Sequence, residues 1–416
     1  MTAAFRANDV KLLTPEVFAD PYPTYALLRE HDPVHWDEQL NGFLLTRYDD
    51  VNAAIRDHET FSSRRIHLLA ARGGANPSPA MQRFLSLAEQ WMWMLDPPQH
   101  TRVRKLMNQG FSPRDVRLLE PRVQGIVTRL VDAMLEKTDG FDLIPDLSYA
   151  VPAGVLLALY DLPDDDGPLI TQWCDTIKVF LGGAPDLVGT QGPAVQSLQQ
   201  MMEYLGAVIA ERRKNPKDDL ISRLVQAEED GERLGDEELC SNLLLLLVAT
   251  YETSVDMMGN GLRGLLTQRD QWELIKAQPQ LIPAAVEEIL RWDGPVQLTH
   301  RLVTRDIELH GTPVKAGQLV YLVRGSANRD PAHFTDPDRF DVTRTETGHV
   351  ALGTGVHFCI GAGLARLEGA CVLGELIRRT PELALDETRP YRWRADNLQF
   401  RGLATLPATA GGQAPA

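Results

Sequence analysis

The feature that most constrains the fold is a long apolar stretch in the middle of the chain. A helical pattern begins at Asp236 and runs to Leu266, and residues 243–249 within it are apolar without interruption. A helix with apolar residues on every side must be covered on every side. This run is too short to cross a bilayer, which takes about 20 apolar residues. We therefore expect a buried central helix, enclosed by other helices of the same protein.

Most of the remaining chain carries the apolar period of amphipathic helices, in segments separated by clusters of Pro, Gly and Asp. The pattern of strands is confined to a hairpin within 34–47 and to segments 304–309 and 318–323. The predicted fold is mainly α with a small β subdomain. Because no repeat or long linker divides the chain, we expect one domain over 1–416, with an N-terminal arm at 1–19 and a flexible tail at 409–416. The other long helices are predicted at 114–136, 150–160, 193–213 and 281–292.

Composition narrows the class of protein. Of the 416 residues, 44% are apolar and 24% are charged, as in soluble globular proteins. The net charge of −15 argues against nucleic acid as a general partner, and residues 1–10 lack the basic-then-apolar pattern of a secretion signal. Four cysteines are too few for a disulfide scaffold in so long a chain, which fits a reducing compartment. We expect a cytoplasmic protein that does not span a membrane and has a cysteine free to act as a ligand.

Cys359 is the strongest candidate for that cysteine. It follows the glycines Gly353 and Gly355 and precedes an apolar-periodic run, 364–377, that predicts a helix. A sulfur just ahead of a helix N-terminus meets free N–H groups and the helix dipole, which favour a thiolate. Glycines let the backbone fold over the sulfur without β-carbons that would hold a flat cofactor away. A structural cysteine remains the alternative on spacing alone, whereas a dinucleotide loop and a zinc site both lack required residues.

The whole stretch from Leu352 to Gly361 resembles the haem-binding loop of the cytochrome P450 family. In that family a glycine-rich turn, a His or Arg two residues before the cysteine and a Gly two residues after it surround the proximal thiolate. His357 and Gly361 stand at the last two positions, while Leu352 stands where the family usually has Phe. The resemblance runs in order from Asp20 to about Leu406. It implies the cytochrome P450 fold, a haem b cofactor that contacts Gly353 and Gly361, and Cys359 as the iron ligand.

A second landmark is the pair His100 and Arg104, which lie on one face of a helix that begins near Pro98. Together they could bind one anionic group, and the alternative is a solvated basic face. In the family that the chain resembles, this helix supplies a His and an Arg to a haem propionate. Arg301 and His357 match two further propionate-binding positions.

Glu252 and Thr253 place an acid and an alcohol in the central helix, where burial is costly unless each is paired or solvated. The structural alternative is a Thr whose hydroxyl donates to a preceding helical carbonyl, and a Glu whose carboxylate is paired with a neighbouring group. The resemblance implies instead an acid–alcohol pair that delivers protons during oxygen activation, with Ala249 beside the haem. Thr250 stands where the family usually has Gly. Either its hydroxyl joins the proton network or oxygen activation is altered, because a β-branched residue narrows the space there.

Glu288 and Arg291 are three residues apart and can pair on one helical face. An exposed pair of this kind contributes little to stability. In the family, a buried Glu-x-x-Arg bonds to a later loop that contains an Arg. The resemblance therefore implies a structural cluster behind the cysteine, with Arg339 as its third member.

Apolar side chains beside the haem are expected to form the substrate pocket, although plain core packing is the alternative for each. By the resemblance, segments 66–95 and 176–198 add to the pocket wall. The pocket residues so expected are Trp93, Leu245, Leu246, Val296, Leu298 and Phe400.

The resemblance implies a monooxygenase that inserts one oxygen atom from O2 into an apolar small molecule. Because the chain has no flavin or nicotinamide domain, electrons must come from separate proteins. The resemblance to soluble bacterial members of the family implies a ferredoxin or flavodoxin with its reductase. For such an acidic carrier we expect a basic patch at Arg102, Lys105 and Arg366. Two alternatives stay open: a peroxide-driven peroxygenase, against which the pair Glu252 and Thr253 argues, and a haem-binding protein without catalysis.

Overall fold

The computed structural model describes residues 10–67, 70, 77–138, 140–181, 187–395 and 398–411, with the backbone alone for 187–190. Parts of four expected features lie outside these residues. They are positions 1–9 of the N-terminal arm, 412–416 of the tail, 68–69 and 71–76 of the first pocket segment, and 182–186 of the second.

Helices make up most of the described chain, as the sequence predicts. None of the described helices combines the length and the apolar character that a membrane crossing requires. The helices are α1 (Pro15–Ala19), α2 (Tyr22–His31), α3 (Tyr48–Arg56), α4 (Pro79–Ala88), α5 (Gln99–Asn108), α6 (Pro113–Leu135), α7 (Ala150–Tyr160), α8 (Gly167–Leu181), α9 (Leu187–Lys214), α10 (Leu220–Gln226), α11 (Asp236–Thr267), α12 (Arg269–Ala277), α13 (Ile282–Asp293), α14 (Arg324–Ala327) and α15 (Ala362–Arg379).

The central helix α11 is buried along almost its whole length, which confirms the expectation from its apolar run. Helices α7, α8, α9, α13 and α15 pack around it. Three acidic residues occupy its first turn, where they interact favourably with the positive end of the helix dipole. The buried Asn242 amide donates to the Gln90 and Glu238 carbonyls, and its oxygen accepts from the N–H of Met92. These bonds satisfy the polar group and attach the 92–94 turn to the helix.

The strands form a small β subdomain beside the helices. Its largest sheet has the strand order β1-β2-β8-β5-β3, in which only β2 and β8 are parallel, with Leu44 opposite Tyr321. The strands are β1 (Val34–Asp37), β2 (Gly42–Leu45), β3 (Phe61–Ser62), β4 (Phe141–Asp142), β5 (Thr299–Val303), β6 (Ile307–Leu309), β7 (Thr312–Val314), β8 (Leu319–Leu322), β9 (Ala384–Leu385), β10 (Arg392–Trp393), β11 (Leu403–Thr405) and β12 (Pro407–Thr409).

The expected strand at 304–309 is wrong in its first half. Strand β5 already ends at Val303, and the Thr304 hydroxyl donates to the Glu59 carbonyl (2.6 Å). The chain then turns, because the Asp306 carboxylate accepts the N–H of Ala316 (3.0 Å), and β6 forms a separate hairpin with β7. The hydrophobic pattern alone did not reveal this side-chain bond.

Both chain ends dock on the body wherever the structure describes them. Leu12 is fully buried, and Thr14 caps helix α1 by accepting the N–H of Val17. At the other end, Thr409 lies in strand β12 opposite Ala384, so the first residue of the expected tail is held in a sheet.

Candidate active site

Cys359 lies at the end of a tight loop that leads directly into helix α15. Its N–H donates to the Leu352 carbonyl (2.9 Å), which closes the loop, and Gly361 is the N-cap of the helix. Gly353 and Gly355 have φ values of +71° and +64°, a conformation that side chains disfavour. The local sequence therefore folds as expected, with the sulfur ahead of a helix N-terminus.

The charge state of the Cys359 sulfur differs from the sequence expectation. Burial raises the pKa of the thiol, and this outweighs the Gly361 N–H and the guanidinium groups of Arg104, Arg324 and Arg366, all of which lower it. The helix terminus and the loop thus only partly offset the effect of burial on this pKa. A metal ion bound to the sulfur would favour the thiolate further, because a coordinated thiol is deprotonated.

Helix α11 faces Cys359 across a cavity. The cavity contains about 850 Å³ of empty space, the open solvent at its mouth included. Every residue of α11 is described, and from Leu239 to Leu262 only Ala249, Thr250 and Thr253 are not buried. All three line the cavity.

Basic side chains lie close to His357, which lines the cavity. Arg301 is 5% exposed, and its Nη1 donates a hydrogen bond to the His300 carbonyl (3.0 Å). His100 is almost fully buried, its ring lies 4.1 Å from that of His357, and its Nδ1 has no partner in the described chain. Burial lowers the pKa of His100 to about 4 and that of Arg301 to about 10. Arg104 is half-buried, with Nε bonded to Asn108.

Two further buried guanidinium groups, Arg65 and Arg324, belong to the same cluster, and no pattern in the local sequence indicates either of them. Neither forms an ion pair among the described residues, and Nε of each lacks a hydrogen-bond partner there. Burial lowers the pKa of Arg65 to about 9 and that of Arg324 to about 10. A buried cation without a counter-charge is costly. The set of donors fits a ligand that brings its own carboxylates, as the two propionates of haem do.

On the α11 side, Glu252 is 3% exposed and bonded to cations from two other elements. Its Oε1 accepts from Lys178 of helix α8 and from Arg394 after strand β10 (2.6 Å). Its Oε2 has no partner in the described chain. Arg394 also binds Asp256 through two bonds of 2.8 and 2.6 Å, and the space beside them is full: a β-carbon at Gly402 would lie 1.9 Å from the Asp256 carboxylate.

Thr253 makes the bond named in the structural alternative, because its hydroxyl donates to the Ala249 carbonyl (2.8 Å). Helix α11 stays α-helical through Thr250, so the helix is not locally opened at this threonine. The contacts of Glu252 and Thr253 fit the structural alternative, whereas the cavity position of Thr253 and the free Oε2 of Glu252 fit the catalytic one. Proton delivery by this pair stays a prediction.

Behind the cysteine loop, Glu288 and Arg291 form a buried bidentate ion pair with distances of 2.7 and 2.8 Å. Arg291 also donates to the carbonyls of Asn328, Pro337 and Arg339. The third guanidinium is that of Arg344, whose Nε donates to Glu288 (3.3 Å). The expectation for Arg339 is therefore wrong: its side chain is 63% exposed and only its backbone carbonyl joins the cluster. The loop turns between the two residues, and only the later one reaches inward.

The expected substrate-pocket residues divide into two groups. Leu246 and Val296 line the cavity together with Thr253 and Cys359. Trp93 is half-buried, and its carbonyl accepts a long bond from Arg65 (3.3 Å). Trp93 lies outside the cavity lining, as do the remaining three: Leu245 and Leu298 are buried, and Phe400 is bridged to Val296 through the backbone.

The expected basic patch is largely neutralised by nearby acids. Arg102 pairs with Glu238, and Lys105 lies 3.3 Å from Glu229. Arg366 forms a bidentate pair with Glu287 at 2.6 and 2.9 Å. The sequence analysis missed these acids because they come from separate segments of the chain.

The sulfur and the unpaired donors around one cavity fit a haem with a thiolate ligand, and comparison with known proteins agrees. The chain belongs to the cytochrome P450 family, whose model matches residues 171–380. Members of this family bind haem through a thiolate. The curated relatives include enzymes named as monooxygenases and hydroxylases, so the chain is an oxidoreductase of this class.

Three relatives illustrate the extent of the similarity. The cytochrome P450 monooxygenase PikC of Streptomyces venezuelae is 38% identical over 98% of this chain and 95% of its own. The vitamin D(3) 25-hydroxylase of Pseudonocardia autotrophica is 37% identical over 94% of each chain. The solved structure of the polyketide synthase cytochrome P450 PksS of Bacillus subtilis has a TM-score of 0.87 and 32% identity, and covers 97% of this chain and 100% of that one.

Proposed function

We propose that the protein inserts one oxygen atom from O2 into an apolar small molecule, using haem b and electrons from a separate carrier protein. The observation that carries this proposal is the cavity that joins Cys359 to His357 and to the buried Arg324, whose Nε has no partner in the described chain. We also propose that residues 1–416 act as one domain and that the protein works in the cytoplasm, where its cysteines stay reduced.

Haem b, when bound, supplies the oxygen chemistry, which a thiolate ligand favours by donating electron density to the iron. Cys359 binds the iron, and His100, Arg104, Arg301 and His357 hold the propionates. The burial of His100 and Arg301 supports this role because charge-assisted hydrogen bonds are strongest away from bulk water. Gly353 and Gly361 allow the loop backbone to lie against the macrocycle.

Glu252 and Thr253 supply protons to the side of the cavity opposite Cys359. The free Oε2 of Glu252 can accept a proton from water and pass it on, while Lys178 and Arg394 hold the carboxylate through Oε1. The Thr253 hydroxyl lies on the cavity wall and relays the proton by exchanging its bond to the Ala249 carbonyl for one to water. The Thr250 hydroxyl, on the same wall, extends this network.

The substrate is apolar, because Leu246, Val296 and Ala249 form the wall near the reacting centre and exclude water from it. Trp93, Leu245, Leu298 and Phe400 complete the pocket further from Cys359. Two relatives are named for vitamin D(3) and for polyketide biosynthesis, which supports a bulky substrate of mixed ring or chain character.

Electrons arrive at the surface near Cys359 from a ferredoxin or flavodoxin. Because Arg102, Lys105 and Arg366 are paired with acids, the attraction has to come from other cations. Arg114 and Arg117 are exposed in the first turns of α6, without an acidic partner among the described residues. Gly363 of helix α15 lies against Val116, so this part of α6 is close to the cysteine loop.

The spectrum of the reduced carbon monoxide complex tests the proposal. We expect the red-shifted Soret band of a thiolate-ligated haem, and loss of that band in Cys359→His. Substrates are then identified by the spectral shift that follows displacement of iron-bound water, and turnover is compared with a ferredoxin system and with peroxide alone. A histidine-type band in the unaltered protein contradicts the iron ligand, and turnover with peroxide but not ferredoxin contradicts the electron source.

A further inference from the structure

Arg324 is a buried cation that the expected propionate-binding residues do not account for. It begins helix α14, directly after strand β8, and is 9% exposed. Its Nη1 makes one long hydrogen bond, to the Ala351 carbonyl (3.4 Å), and its Nε has no partner in the described chain. The described acids form no ion pair with it. A guanidinium carries five N–H donors, so most of the hydrogen-bonding capacity of Arg324 is unused.

The position of Arg324 connects it to the haem-binding loop. It lines the same cavity as Cys359 and His357. A β-carbon placed on Gly353 would lie 3.5 Å from its Nη2, so the guanidinium lies against the glycine turn of the loop. The charge of Arg324 is close enough to be repelled by Arg301 and attracted by a Cys359 thiolate. The guanidinium thus lies close to both Arg301 and Cys359.

A buried guanidinium with no counter-charge is destabilising, and a protein retains it where a ligand completes the pair. The carboxylate of Asp96 attracts the guanidinium groups of both Arg65 and Arg301. It is not among the charges that shift the pKa of Arg324. Haem brings two carboxylates and a charged metal centre into this cavity. Besides a Cys359 thiolate, the available counter-charges for Arg324 are therefore those of the bound cofactor.

We infer that Arg324 is a further haem-binding residue, which donates to a haem propionate beside Arg301 and whose positive charge raises the reduction potential of the iron. This inference rests on the proposed function, because it requires haem bound through Cys359. At an effective dielectric constant of about 20, a unit charge about 10 Å from a redox centre changes the reduction equilibrium roughly tenfold. The burial of Arg324 keeps this effect from being screened by solvent ions.

Three variants of the haem-loaded protein test the inference. Arg324→Gln removes the charge but keeps a similar size. Arg324→Lys keeps the charge but loses the planar set of N–H donors. Arg56→Gln is the matched control, since Arg56 lies against Gly355 on the solvent side of the same loop and is exposed. The measurements are the midpoint potential of the iron, by spectroelectrochemical titration, and the rate of haem transfer to apomyoglobin.

We expect Arg324→Gln to shift the reduction equilibrium about tenfold toward the ferric form, or about 59 mV for a one-electron couple, and to release haem faster. Arg324→Lys should retain the potential and still release haem faster, and Arg56→Gln should change neither quantity. An unchanged potential in Arg324→Gln overturns the inference. If that variant does not fold, an unchanged haem transfer rate in Arg324→Lys overturns it instead.

The carbon monoxide complex of the unaltered protein separates this inference from the proposed function. A histidine-type Soret band there overturns the proposed function. A thiolate-type band, together with an unshifted potential in Arg324→Gln, overturns only the role of Arg324.

Discussion

Among single residues, Glu368 of helix α15 is fully buried, and neither of its carboxylate oxygens lies within hydrogen-bonding distance of a partner in the described chain. Burial raises its pKa to about 7, and the Ser254 hydroxyl nearby, too poorly placed for a regular hydrogen bond, opposes this increase only in part. In the unfolded chain the same group ionises near pH 4.5. Between these values the folded protein binds the extra proton, so the free energy of unfolding falls as the pH rises through this window.

Glu368→Gln should remove this loss of stability. At about 1.4 kcal/mol per pH unit, the variant should gain about 3 kcal/mol over the unaltered protein at pH 8 and little at pH 5. Urea unfolding of the haem-loaded protein at both pH values measures the difference. Glu120→Gln, at an exposed position, is the control and should leave the pH slope unchanged. Equal slopes for Glu368→Gln and the unaltered protein would show that the buried acid does not titrate as described.

Thr253→Ala tests the alcohol of the acid–alcohol pair. We expect electron consumption to continue while product formation falls by about a hundredfold, the lower end of the range that general acid–base groups contribute. The measurement is the ratio of product formed to reduced carrier oxidised. Thr267→Ala is a matched control, because Thr267 makes the same bond to a carbonyl four residues earlier in α11 but is exposed. Unchanged coupling in Thr253→Ala would leave only the structural role of that hydroxyl.

Between elements, the cluster of Glu288, Arg291 and Arg344 joins helix α13 to the loop that precedes the cysteine. Arg344 also donates to the carbonyls of Thr335 (2.7 Å) and Asp336 (3.2 Å). Its guanidinium thus holds several turns of that loop in place, whereas the Arg339 guanidinium is exposed.

Arg344→Ala should therefore destabilise the protein by about 1–3 kcal/mol and increase haem loss, because it leaves buried acceptors without donors. Arg339→Ala should change stability by less than about 0.5 kcal/mol, as exposed substitutions usually do. Thermal unfolding and haem content of the two variants, measured side by side, give the comparison. Similar losses of stability and of haem in both variants would show that Arg339 is the third member of the cluster after all.

The elements that sequence reasoning predicted well are those whose signals are local. The run of apolar residues predicts helix α11, and the three-residue spacing of Glu288 and Arg291 predicts that these two side chains pair. Contacts between distant segments were not predictable in this way: Arg344 reaches Glu288 across 56 residues and Arg394 reaches Glu252 across 142. Arg324 was missed for the same reason, because its position in a short helix after a strand carries no periodic signal.

For the whole molecule, the net charge of −15 opposes the approach of an acidic electron carrier unless a local surface is positive. The double variant Arg114→Gln, Arg117→Gln should slow reduction by a ferredoxin several-fold at low ionic strength. The difference should shrink as salt is added, because exposed charges are screened over about 10 Å at 0.1 M salt. Stopped-flow reduction at several salt concentrations measures it.

Arg129→Gln is the control for this experiment. Arg129 is also exposed on helix α6 but lies 12 residues beyond Arg117, about 18 Å along the helix. This variant should leave the rate of reduction by the ferredoxin unchanged. If all variants are reduced equally fast at every salt concentration, the carrier docks elsewhere.

The crowded contact between Gly402 and Asp256 has a consequence for hybrid enzymes. The last strands of the chain supply Arg394 to the acid in the middle of helix α11, and the fit leaves no room for a β-carbon at position 402. A C-terminal segment transplanted from a relative is therefore compatible only if it carries glycine there and an arginine at the facing position. Chain ends are often treated as interchangeable in recombination libraries. In this protein the last strands and the middle of α11 have to be taken from the same parent sequence.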